Sequence, residues 1–167
     1  MATTFEAIAT VTVGSGGAAN IDFTSIPGTY TDLVVKLSLR QDSSALNYAV
    51  MRFNNATTNF TYRSIEGTGS AAASFNGSTG TYGFPTPSSA TASTFSNAEV
   101  YIPNYAGSSN KSFSVDTVTE NNGTAAYADL IAGLRSNTDV IDRITFYTAG
   151  GSFVQYTTAT LYGIKNS

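Results

Sequence analysis

A chain of 167 residues with eight Lys plus Arg, eleven Asp plus Glu, no His and no Cys has room for a sizeable core but few groups for chemistry. Without His or Cys, Ser-His-Asp hydrolysis, thiol nucleophiles, disulfides and most zinc sites are excluded, and the scattered positive charge makes no footprint for nucleic acid. Only 11% of residues are charged, so solubility rests on Ser, Thr, Asn and Gly, a surface more common on proteins that lie against other proteins than on metabolic enzymes.

The first segment, 5–13, alternates Phe5, Ala7, Ala9, Val11, Val13 against Glu6, Ile8, Thr10, Thr12 and runs into Gly14-Ser15-Gly16-Gly17, which predicts a strand and a turn. Residues 19–23 predict a short second strand closed by Ser25-Ile26-Pro27-Gly28. The pattern over 32–40 predicts a central strand with Leu33, Val35, Leu37 and Leu39 inward and Val34, Lys36, Ser38 and Arg40 outward. Strands are expected at 47–54 and 60–68. Residues 69–81, reading GSAAASFNGSTGT, lack a burial pattern and predict a long loop, after which Tyr82 and Phe84 stand beside Pro85 and Pro87.

Residues 97–118 predict a β-hairpin with a long tip. Ala98, Val100 and Ile102, then Phe113, Val115 and Thr117, form its inward face; Glu99, Tyr101, Ser112, Ser114 and Asp116 face out. Pro103 has no amide hydrogen for a ladder, so the first arm is expected to end there or to run at an edge. Asn121-Asn122-Gly123 predicts a tight turn, followed by strands at 127–135, 140–148 and 153–164. Eight to ten short strands with turns every eight to twelve residues predict a single all-β domain over 1–167, an antiparallel β-sandwich of jelly-roll-like kind.

No apolar run is long enough for a membrane span, and the first residues lack a basic segment and a continuous apolar segment, so the chain is expected to fold in the cytoplasm where it is made. Two carboxylate pairs invite a glycosidase comparison, Asp139 with Asp142 and Asp116 with Glu120, but outward acids on strands usually serve solubility and edge protection. No calcium-loop or phosphate-loop pattern occurs, so no catalytic, cofactor or metal residue is assigned. Five Asn-x-Ser/Thr sequons, at Asn55, Asn59, Asn76, Asn110 and Asn122, are what chance yields in so Asn-, Ser- and Thr-rich a chain. The aromatics Tyr82, Phe84, Tyr101 and Tyr105 are the candidate contact residues, either as a stacking surface for a glycan, as an anchor for a partner subunit, or as caps on the open ends of the sandwich.

Three segments, IDFTSIPGTYTDLVVKLSLR from Ile21, IPNYAGSSNKSFSVDTVTENN from Ile102 and YTTATLYGI from Tyr156, resemble a domain of virion structural proteins from tailed bacteriophages of marine and cyanophage type. The resemblance implies a virion location, an all-β fold and assembly as a homo-oligomer, expected to be a trimer, in contact with the major capsid protein or with tail proteins. It does not imply a position on the particle; 167 residues leave no room for the long shaft of a fibre, so a non-enzymatic capsid decoration or cement protein is expected, with a tail-fibre or tail-adaptor component that binds a host-surface glycan as the alternative.

Overall fold

The computed structural model describes residues 4–119 and 126–165. These residues form eleven strands: β1 (Phe5–Thr12), β2 (Asn20–Phe23), β3 (Asp32–Leu39), β4 (Ala49–Phe53), β5 (Phe60–Gly67), β6 (Ala72–Gly77), β7 (Ser96–Pro103), β8 (Lys111–Thr119), β9 (Tyr127–Arg135), β10 (Ile144–Thr148) and β11 (Thr158–Ile164). Eight of them make one sheet in the order β1-β11-β3-β7-β8-β9-β5-β6, and β2-β10-β4 make a second. Every pairing between these strands is antiparallel, and the fold is the β-sandwich that the alternation predicts.

β3 lies in the interior of the large sheet, and Leu33, Val35, Leu37 and Leu39 are all buried. The hairpin β7-β8 continues that face with Val100, Ile102, Phe113 and Val115. Pro103 ends β7, which nonetheless runs between β3 and β8. From the small sheet, Phe53 on β4 meets Phe113 on β8 edge to face, with ring centres 5.8 Å apart, so this pair bridges the two layers. Burying a ring of this size stabilises the fold by about 1.5–3 kcal/mol.

Three departures from the sequence pattern have local causes. The expected loop at 69–81 contains β6, whose residues are nearly all exposed and which is held by its ladder to β5 from Tyr62↔Gly77 to Gly67↔Ala72. Backbone pairing with a free sheet edge needs no apolar side chains, so hydrophobic periodicity does not register such a strand. The eleventh strand arises there.

In β1 the register slips between Ala7 and Ala9, and this bulge leaves Ile8 and Val11 as the partly buried residues in place of strict alternation. Arg40, expected to face outward, is buried. Its guanidinium donates to the carbonyls of Thr91 and Thr94 at 2.9 Å, Ala90 at 3.1 Å and Ser88 at 3.4 Å, so the charge is satisfied by loop backbone. The last two strands are shorter than predicted, beginning at Ile144 and Thr158. The predicted turn at Asn121-Asn122-Gly123 lies outside the described residues.

Candidate interaction surface

Residues directly opposite one another in a ladder share a face, so the register defines rows of side chains that cross the sheet. One outward row runs Thr10, Thr160, Lys36, Glu99, Asp116, Leu130, Ile65, Ser74, from β1 to β6. It opens with the Thr10–Thr160 hydroxyl contact at 3.1 Å and passes through the exposed Lys36–Glu99 ion pair. It then turns apolar at the β9-β5 end of the sheet. Leu130 is 60% exposed and Ile65 62%.

The inward row beside it has the opposite gradient. Leu37 and Ala98 belong to the core, then come Thr117 on β8, Asp129 on β9 and Glu66 on β5, all buried. In these two rows the order is therefore inverted over β9 and β5, with carboxylates inside and Leu130 and Ile65 in water, whereas Ile131 of β9 and Phe60 of β5 keep the ordinary inward order. Burial, and secondarily the Glu66 charge, pushes the Asp129 carboxyl up to about 6. Thr81, Gly83, Tyr48 and Phe84 close over this pair, and the cavity between them is about 10 Å³, the space of a single water. A sugar ring does not fit there.

At the other end of the same inner face, Lys111 stands opposite Arg135, and both cations are buried. Lys111 donates to the carbonyls of Gly107 at 2.6 Å, Ser109 at 2.5 Å and Thr138 at 3.2 Å, which ties the hairpin tip to the loop after β9. Burial and the neighbouring Arg135 lower its pKa. Arg135 lies over the Phe60 ring at 5.8 Å.

On the outer side, β8, β9, β5 and β6 enclose an open groove of about 690 Å³, with Leu130 and Ile65 along its floor, Arg63 on one side and Asp116 on the other. Arg63 is exposed and donates to the carbonyl of Tyr62 at 2.9 Å. The β6 edge beyond it reads Ala-Ala-Ser-Phe-Asn-Gly, with no charge and no proline to discourage a partner.

The four aromatics singled out in the sequence do not come together. Tyr82 is fully buried, donates to the Tyr147 carbonyl at 3.2 Å and packs edge to face on Phe146. Residues 80–83 run along β4, with the Ala49 amide donating to the Gly83 carbonyl at 2.8 Å, and this pairing carries Tyr82 and then Phe84 inward. Phe84 packs on Tyr48 and Tyr127. Tyr105 is fully buried at the hairpin tip, where its hydroxyl donates to the Pro27 carbonyl and accepts from the Tyr30 amide at 3.3 Å. Tyr101 alone stays partly exposed, with its hydroxyl donating to Asp32 at 2.9 Å. As an exposed stacking surface the set is thus corrected by the structure: Tyr82, Phe84 and Tyr105 cap the sandwich.

Of the carboxylates singled out, Asp139 and Asp142 are exposed on the loop before β10, Asp116 lies on the outer face, and Glu120 lies outside the described residues. Glu66 and Asp129 were not singled out. The parity of Glu66 with Phe60 and Tyr62 was a signal for its inward direction; for Asp129 the apolar residues of β9 fall on both parities. No family model matches the chain, and no curated protein matches it.

Proposed function

We propose that the chain is a non-enzymatic structural subunit that works by docking on other proteins through the outer face of β8-β9-β5-β6, as a decoration or cement protein on the capsid of a tailed-bacteriophage virion. The observation that carries the docking role is the adjacent, exposed pair Leu130 and Ile65 over a sheet whose inner face holds the carboxylates. An isolated exposed aliphatic residue is ordinary; two side by side above an open groove, beside an uncharged strand edge, favour a partner. The virion role rests on the resemblance of the segments from Ile21, Ile102 and Tyr156 to tailed-phage structural proteins. A glycan-binding role through Tyr82, Phe84 and Tyr105 lacks exposed ring faces.

The test is co-sedimentation of the purified protein with undecorated tailed-phage capsids, followed by the temperature at which the particles rupture. Binding and a raised rupture temperature are expected, and both are lost in Leu130→Asp while its circular dichroism stays that of the parent. Capsids that ignore the protein would sink the decoration role.

A further inference from the structure

We infer that the outer face of β8-β9-β5-β6 is a two-fold interface on which a second copy of this chain docks face to face. The inference rests on the assembly role of that face and makes its occupant a second copy of this chain, so that the capsid is met by the assembled dimer and a variant that loses the dimer loses capsid binding with it. Its basis is the placement of charge around the apolar floor. Arg63 lies on β5, in the row Asn76, Arg63, Ala132, Ser114; Asp116 lies on β8, in the neighbouring row Ser74, Ile65, Leu130, Asp116. The two charges therefore lie at the ends of a diagonal across β5, β9 and β8, with Leu130 and Ala132 of β9 between them and β6 beyond Arg63.

A two-fold axis in the plane between two such faces, perpendicular to the diagonal from Arg63 to Asp116, brings each Arg63 over Asp116 of the other copy. The same operation lays the Leu130 and Ile65 strip against its own counterpart. A surface that is complementary to itself in this way is what an isologous dimer requires. In size, four strands about 4.8 Å apart and about eight residues long cover roughly 500 Å² in projection. Side-chain relief brings this toward the roughly 800 Å² per partner of a standard interface. The dimer is expected at the weak end of that class, and to weaken with salt because Arg63 and Asp116 are solvent-exposed in the free chain.

The experiment is light scattering on the full chain over a range of concentrations, with Arg63→Glu, Asp116→Lys, both together, and an equimolar mixture of the two single variants. Both positions are exposed, so the fold is expected to survive, which circular dichroism checks. Wild type is expected to move from monomer to dimer mass, and each single variant to dissociate about tenfold more readily or worse. The doubly substituted chain recovers the dimer. The mixture of single variants also recovers it: in a mixed pair the two substituted positions face each other with opposite charges, and the unsubstituted Arg63 and Asp116 still meet at the other end of the diagonal. A wild-type mass that stays monomeric, a trimeric mass, or a mixture that fails to dimerise would overturn the inference. Capsid binding by a protein that stays monomeric would remove the dimer and leave the docking role standing; a dimer that ignores capsids would do the reverse.

Discussion

Glu66 on β5 and Asp129 on β9 stand directly opposite each other in the ladder, and both are turned into the protein. Two carboxylates on one buried face resist double ionisation, and the Asp129 carboxyl is pushed up to about 6, first by burial and then by Glu66. An Asp in the unfolded chain titrates near about 3.9, so the folded state holds this proton more tightly than the unfolded state. The fold therefore has the benefit below about pH 4 and loses it as pH rises through about 6. Asp129→Asn is expected to abolish that slope and to stabilise the protein at pH 7.5 by up to about 3 kcal/mol. Urea unfolding at pH 4, 5, 6 and 7.5 checks this, and a parent protein that gains stability over that range relative to Asp129→Asn would refute it.

Arg40 holds four carbonyls of the loop between residues 88 and 94 with one guanidinium. A Lys presents one ammonium and cannot span both sides of that loop, so Arg40→Lys is expected to be nearly as damaging as Arg40→Met, each costing about 3 kcal/mol. Hydrogen exchange is expected to quicken first between Ser88 and Thr94.

Across β8-β9 the Phe113 ring lies over Gly133, where an added Cβ would come within 2.0 Å of the ring, and the same arrangement recurs with Tyr62 over Gly77 at 2.4 Å. Gly133→Ala must displace a ring that also contacts Phe53, and about 1–3 kcal/mol of destabilisation is expected. The double variant Gly133→Ala with Phe113→Leu is expected to recover part of that loss in thermal unfolding.

Leu130→Thr and Val100→Ala separate surface from core. The first removes an exposed aliphatic group and is expected to change stability by less than about 0.5 kcal/mol while weakening association; the second opens a fully buried site and is expected to cost about 2 kcal/mol with association intact once folded. Thermal melts and light scattering on the two proteins read both effects.

Tyr105→Phe removes a hydroxyl that joins the hairpin tip to Pro27 and Tyr30. Because the ring is buried, the expected result is a loss of about 1–2 kcal/mol of stability rather than a selective loss of any surface interaction. Unfolding curves and glycan-array binding, measured on the same preparation, distinguish the two.

Where apolar residues fall on one parity, as in the hairpin arms, the linear pattern alone determined strand, direction and buried face, and Val100 and Val115 lie as their alternation requires; in β3 Leu33 and Val35 do so too, but Val34, expected outward, is buried as well. That rule depends only on the two-residue period of an extended chain. It failed where parity was balanced or silent. In β9, Leu130 and Ile131 are equally apolar neighbours, and the register that sets Ile131 opposite Val115 and Ser64 sends Leu130 into water. In β6 no side chain demands burial, and a free edge of β5 made the strand. The aromatics Tyr82, Phe84 and Tyr105 went inward because the chain around them pairs with β4 or folds over the end of the sandwich, contacts between segments far apart in sequence. Composition and period thus settled the class of fold and most of its core; the exposed strip, the buried Glu66–Asp129 pair and the charged diagonal exist only once strands distant in the chain are laid side by side.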